Sequence, residues 1–246
     1  MIYELFNDKK SPKLAVLVDP DKQTKQGLVE LIKLAENCKA DFFFVGGSLL
    51  VEGSFEQTIT ILKSNSKIPV VIFPGNNYQL SKQADAILFL SLISGRNAEY
   101  LIGQHVVAAP LIKESGLEVI PTGYMLIDGG RISATSYITQ TLPIPADKTE
   151  LATATALAGQ MLGVKLIYLE AGSGAERAVS PRMIKAVKEA VQIPVIVGGG
   201  IRSAEQAEEI CKAGADVVVV GNALEKEPGL LMEISLGVHA VKKPIE

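Results

Sequence analysis

The chain has 246 residues, 48% of them hydrophobic and 5% aromatic, with 24 basic against 27 acidic side chains and a formal net charge of −3. That length suits one large α/β domain with a real core, and the near-neutral charge argues against a general nucleic-acid binder, which would carry a basic field. The two cysteines, Cys38 and Cys211, exclude a disulfide scaffold and suit a reducing compartment.

No leader-like N-terminus and no apolar run near about 18 residues is visible, so the expectation is a soluble cytoplasmic protein without a stable membrane anchor. Short apolar runs rich in β-branched residues recur along the chain: Leu14–Val18, Asp41–Val45, Val70–Phe73, Ala86–Leu90, Glu118–Pro121, Lys165–Leu169, Val195–Val197 and Asp216–Val220. Several are apolar throughout, as in strands buried on both faces of a parallel sheet. Between them lie stretches such as GLVELIKLAENCK, PRMIKAVKEAVQ and AEQAEEICKAG, whose apolar residues repeat at helical spacing. Eight such units over residues 1–246 predict a single (β/α)8 TIM barrel, with a doubly wound open sheet as the alternative.

Two intervals break the rhythm. Phe73 to Ala86 leaves room for only a shortened helix. Tyr124 to Glu150 is long and polar, and reads either as an active-site lid or as a disordered excursion.

Barrel chemistry sits in the loops after the strands. The first strand runs into Asp19-Pro20-Asp21-Lys22, where Asp19 reads either as a helix N-cap with Pro20 behind it or as a magnesium ligand with Ser48 supplying a second oxygen. The sixth runs into Tyr168-Leu169-Glu170-Ala171-Gly172-Ser173-Gly174. Glu170 there is a carboxylate at the lip of a buried strand, with no capping role in view, and so a catalytic candidate. The seventh and eighth end in Gly198-Gly199-Gly200 and Gly221-Asn222. Such turns either merely allow tight corners or present backbone N–H groups to a phosphate, at the usual phosphate site of this fold.

Other chemistries find little support. His105 and His239 fall in helical stretches without metal-ligand spacing, which argues against zinc. Lys165 lies at the wrong end of its strand for a Schiff base, and two such histidines assemble no nucleophilic triad.

The set LVDPDK, FVGGS, IPTGYMLIDGG, IYLEAGSG, IVGGGIRS and VVGNAL, in this order, resembles the geranylgeranylglyceryl phosphate synthase family in its YLEAGSG form, from about Lys13 to Glu225. The resemblance implies a modified (β/α)8 barrel that moves a prenyl group from a prenyl diphosphate to the 3-hydroxyl of sn-glycerol 1-phosphate, using Mg²⁺. It implies that Asp19 and Ser48 bind the metal and that Glu170 is the base. By the same resemblance Tyr168, Leu169, Glu170, Ala171, Gly172, Ser173 and Gly174, with Gly199, Gly200, Gly221 and Asn222, hold the glycerol phosphate.

Two positions depart from the family pattern: Leu17 stands where some relatives carry lysine, and Ile93-Ser94-Gly95 where relatives often read Leu-Asn-Ser. Leu49, Leu50, Phe73, Leu92, Ile93 and Tyr124 at the ends of strands two to five either line an isoprenoid channel or are ordinary core packing. The apolar helix faces suggest a homo-oligomer. The rival readings are a phosphate-binding barrel isomerase or lyase of amino-acid biosynthesis and a non-catalytic barrel that binds a phosphorylated ligand.

Overall fold

The computed structural model describes residues 1–51, 53–221, 227 and 229–242. Eight parallel strands close into a barrel in chain order: β1 (Lys13–Val18), β2 (Phe42–Val45), β3 (Val70–Ile72), β4 (Ala86–Leu92), β5 (Glu118–Leu126), β6 (Leu166–Glu170), β7 (Val195–Gly198) and β8 (Val217–Val220). The pairing of β1 with β8, which sets Ala15 beside Val219, closes the ring and excludes an open sheet.

The strand residues alternate between two apolar layers, as period-2 side chains must. Ala15, Phe42, Phe44, Leu88, Tyr168 and Ile196 fill the barrel, while Val16, Phe43, Ile72, Ile167, Leu169 and Val197 face the surrounding helices. That double burial is why these runs read as apolar throughout.

Around the barrel stand α2 (Lys25–Asn37), α3 (Phe55–Asn65), α4 (Gln104–Ser115), α6 (Thr149–Met161), α7 (Pro181–Ala190), α8 (Ala204–Lys212) and α9 (Leu230–Ala240). The shorter α1 (Ile2–Phe6) lies before the barrel in the chain, and α5 (Ala134–Thr139) lies in the segment after β5. Thr24, Ser54, Ser180 and Ser203 each cap a helix by accepting the backbone N–H three residues on, which is why those helices begin where they do. Among the described residues no helix is long and apolar enough to cross a membrane.

Aspartates just before three strands secure the opposite end of the barrel. Asp41, Asp85 and Asp216 accept an N–H at the start of the preceding strand, at Leu14, Val70 and Val195, at 2.7–2.8 Å. The ring of Phe6 in α1 stacks on Phe42 with centroids 4.4 Å apart, so the N-terminal helix reaches the barrel interior.

Three sequence expectations are revised. Instead of a shortened helix after β3, residues 73–85 form no helix. β5 continues past Pro121 to Leu126, so Tyr124 lies within a strand, opposite Leu92 and Tyr168. The Tyr124–Glu150 stretch is ordered: it finishes β5, returns through a bridge between Ile127 and Ile144, and carries α5. Of the two readings, the disordered excursion is ruled out.

Asp216 is 5% exposed and its Oδ2 accepts both the Val195 N–H and the Lys188 ammonium at 2.7 Å. Asp216→Ala is expected to leave both donors without that acceptor and to cost about 3 kcal/mol of stability. Urea unfolding checks this. Michaelis constants measured well below Tm should match wild type, because the ion pair lies at the end of the barrel away from the site.

Candidate active site

Glu170 is the last residue of β6, paired with Gly198 of β7 and Leu126 of β5. Strand alternation turns Tyr168 and Glu170 into the barrel and Leu169 out of it, so the Leu169 side chain packs in the outer layer. Glu170 is 7% exposed. Its Oε1 accepts the Gly172 N–H at 2.7 Å. The Tyr168 hydroxyl lies close enough to favour the charged carboxylate but falls short of a full hydrogen bond, and is left as a buried polar atom without a partner. Burial raises the carboxyl to about 7, against the opposing pull of Gly172 and Tyr168.

Beneath it the rings of Phe73, Tyr124 and Tyr168 pack with centroids 5.2–6.0 Å apart. Burial first, and then the charge on Glu170, push both phenols well above their ordinary value, so they stay protonated.

The glycine loops converge on the same carboxylate. Gly172, Gly174, Gly199 and Gly200 have φ between +68° and +102°, the region that favours glycine. At Gly199 a methyl group would come within 2.5 Å of Glu170 Oε1 and 2.8 Å of the Gly172 nitrogen. The turn after β7 therefore packs directly on the turn after β6, and side-chain bulk is excluded between them. The guanidinium of Arg202 ties down the β6 turn by donating to the carbonyls of Ala175 and Glu176, and that of Arg131 by donating to Gly174. Ser173 is exposed on this turn and Ala171 is buried. Gly221 follows β8 beside Leu17, whose side chain fills the place where some relatives have lysine. Asn222 lies outside the described residues.

Across the mouth, Asp19 has both roles its sequence suggested open to it. Its Oδ1 accepts the Asp21 N–H at 3.2 Å, a cap on the short turn from Pro20 to Lys22, and Lys22 Nζ stands 3.4 Å from Oδ2. The same carboxylate faces the loop after β2, where a methyl on Gly47 would sit 3.1 Å from Oδ1. Ser48 Oγ is 3.3 Å from Thr135 Oγ1 on α5. Among the described residues no three His, Cys, Asp or Glu side chains cluster. One carboxylate and one hydroxyl are hard oxygen donors, a set that fits Mg²⁺ shared with substrate phosphates and does not fit a metal held entirely by protein.

A cleft enclosing about 1030 Å³, part of it open solvent, opens beside this loop. It runs from Gly47, Ser48 and Thr135 past Phe73, Leu92 and Tyr124 to Phe89, His105 and Ile112, between residues 73–80 and α4. It lies on the flank where the helix after β3 is missing. Of the six residues that the sequence left open between channel and core, Phe73, Leu92 and Tyr124 line it and Leu49, Leu50 and Ile93 do not. Leu49 is 62% exposed, and Ile93 turns outward against Gly123 and Gly159. Ser94 is structural: its hydroxyl accepts the Leu126 N–H. Gln79, Thr135 and the two arginines carried no local sequence signal, since their partners lie far along the chain.

A closed parallel barrel with a buried carboxyl of raised pKa among glycine turns at the strand ends, and an apolar cleft beyond its aromatic neighbours, belongs to the class of (β/α)8 enzymes that work at the strand ends. The chain matches the PcrB family over residues 7–239 and belongs to that family. It is 52% identical over 231 residues, 94% of this chain and 93% of the relative, to the geranylgeranylglyceryl phosphate synthase of Spirosoma linguale. It is 50% identical to that of Chitinophaga pinensis over 242 residues, covering 97% and 96% of the two chains. The solved structure of (S)-3-O-geranylgeranylglyceryl phosphate synthase from Thermoplasma acidophilum, in complex with its substrate sn-glycerol-1-phosphate, superposes with a TM-score of 0.90 at 33% identity, covering 97% of this chain and 98% of that one.

The raised carboxyl of Glu170 has a measurable consequence for stability. Between its unfolded value of 4.5 and its folded value of about 7 the native chain holds a proton that the unfolded chain has released. Stability therefore falls as pH rises across that window, and the cost is complete above it. Glu170→Gln keeps the acceptor for Gly172 and removes the titration. Its Tm relative to wild type is expected to rise by several degrees between pH 4.5 and pH 8, as read by calorimetry at the two pH values; an unchanged difference would show that the carboxyl is not strained by burial.

Proposed function

We propose that this chain is a prenyltransferase that joins geranylgeranyl diphosphate to the 3-hydroxyl of sn-glycerol 1-phosphate and releases diphosphate, in ether-lipid assembly. The observation that carries the reading is the place of Glu170, buried against the glycine turns and next to Tyr124, whose ring with that of Phe73 forms part of the wall of the apolar cleft. The cradle, with backbone N–H groups and no side-chain bulk at Gly199 and Gly200, takes the phosphate of the glycerol substrate, while the Gly172 N–H is held by Glu170. The cleft takes the isoprenoid tail, whose burial contributes roughly 0.8 kcal/mol per methylene. The similarity to the Thermoplasma enzyme supports the glycerol phosphate assignment.

In the reaction the glycerol oxygen bonds to the allylic carbon as that carbon's bond to the diphosphate oxygen breaks. The hydroxyl proton passes to a Glu170 carboxylate oxygen, and the bonding pair leaves with the diphosphate. A carboxyl near 7 is well matched to this at neutral pH, since it is substantially ionised and still basic enough to accept the proton. Magnesium, when held by Asp19 and Ser48, supplies positive charge against the leaving diphosphate. The protonated phenols of Tyr124 and Tyr168 leave Glu170 as the acceptor.

An isomerase or lyase mechanism would need a second acid or base facing Glu170 across the barrel. The neighbours of Glu170 inside the barrel are those two protonated phenols, and the carboxylate across the mouth, Asp19, is engaged by the Asp21 N–H and Lys22, which favours the transferase reading. Exposed Ile102, Val106, Val107 and Leu111 on and before α4 support a homo-oligomer.

Diphosphate release that requires a prenyl diphosphate, sn-glycerol 1-phosphate and Mg²⁺ together tests the reading; release without the acceptor, or none with all three, refutes it. Glu170→Gln is expected to lower kcat by about 10²–10⁴-fold with little change in glycerol phosphate affinity. In wild type kcat should fall on acidification below about pH 7, as the base gains its proton. Asp19→Asn retains the cap but should lose most turnover, without recovery at saturating Mg²⁺.

A further inference from the structure

The segment that replaces the helix after β3 does more than uncover the cleft. Gln79, in that segment, is 2% exposed, and its side-chain amide closes a ring with a single backbone unit. Nε2 donates to the Gly47 carbonyl at 2.7 Å, and Oε1 accepts the Gly47 N–H at 3.3 Å. Oε1 also accepts the Gly75 N–H at 3.1 Å. One side chain thus satisfies both polar groups of Gly47 and joins the loop after β2 to the loop after β3.

The two loops meet backbone to backbone. A methyl on Gly75 would lie 2.0 Å from the Gly47 carbonyl oxygen, and one on Gly46 would lie 1.9 Å from that of Phe73. On its other side Gly47 faces the Asp19 carboxylate, and the next residue is Ser48. A short glycine loop has little conformational preference of its own, so something must hold it, and here the holding group is an amide from 32 residues away.

We propose that Gln79 is a positioning residue for the diphosphate end of the prenyl substrate, fixing the Gly46–Gly47–Ser48 loop against Asp19. This rests on the reading above, in which Asp19 and Ser48 face the diphosphate. Gln79 touches no reacting atom itself. Its effect is on binding geometry, where a small misplacement is costly.

The test measures binding of geranylgeranyl diphosphate with Mg²⁺ by calorimetry, with glycerol phosphate left out so that no turnover occurs. Gln79→Met keeps the length of the side chain and loses all three hydrogen bonds; it is expected to weaken this binding at least tenfold while glycerol phosphate affinity stays within about twofold. Gln79→Glu retains the two acceptor contacts and should fall between Met and wild type, and it serves alone if the Met variant does not fold. Combining Gln79→Met with Ser48→Ala should give less than the sum of the two effects, because one acts through the other.

Equal loss of both affinities, or additive effects in the pair, would mean a merely structural role and overturn the proposal. Normal diphosphate binding in Gln79→Met, with Ser48→Ala and Asp19→Asn both impaired, would overturn it and leave the functional reading standing. Normal binding in Ser48→Ala and Asp19→Asn would instead refute the reading on which it rests.

Discussion

Because the eight strands close on one another, a side chain that points inward near the mouth is cut off from water even at the end of its strand. Glu170 is placed there by the alternation of β6, and among the described residues no cation stands beside it to offset its charge. Two weak partners remain, the Gly172 N–H and the nearby Tyr168 hydroxyl. The outcome is a carboxyl raised to about 7, strained enough to accept a proton at neutral pH and not so strained as to stay permanently neutral. A lysine or arginine at this spot would make the barrel more stable and the base weaker. The left-handed glycines serve the same constraint, since a methyl on Gly199 would press on the carboxylate oxygen itself.

The absence of a helix after β3 is the second determinant. A complete ring of helices would cover the outer face of β3 and β4 as it covers the rest, and the cleft past Phe89 and His105 would not exist. Leaving it out forgoes apolar burial on that flank and leaves the backbone of residues 73–85 without helical hydrogen bonds. Buried polar groups there must then be satisfied singly. Gln79 meets part of that need by binding Gly47 and Gly75, so the same omission that opens the cleft also supplies the residue that braces its rim.

How far the sequence could be read follows from what each feature depends on. All eight strands were legible because double burial leaves an unbroken apolar run, and Glu170 was legible because it interrupts such a run at its end. The full length of β5 was not. Pro121, Thr122 and Gly123 look like a turn in isolation, yet Gly123 belongs in the strand because its missing side chain admits the Ile93 and Ile167 methyl groups. The cleft lining was half legible. Phe73, Leu92 and Tyr124 lie on or next to strands with a fixed alternation, whereas Leu49 and Leu50 follow β2 where periodicity no longer determines direction. Gln79 and Thr135 gave no local signal because their partners come from distant segments.

The departures from the family pattern can be placed on the same physical footing. Leu17 packs beside Gly221 and brings no charge to the mouth, so on the proposed reading the glycerol phosphate rests on backbone N–H groups and the loops that carry them. A backbone cradle is only as good as its rigidity, and here that comes from outside the cradle: Arg202 and Arg131 hold the turn after β6 through its carbonyls. Both arginines spend hydrogen bonds on protein oxygens, which ties their charge to the turn after β6. On the reading proposed above, these two cationic side chains support the anion site by shaping the backbone that binds it, and the carboxyl that accepts the proton is the group inside the barrel that burial moves toward neutrality.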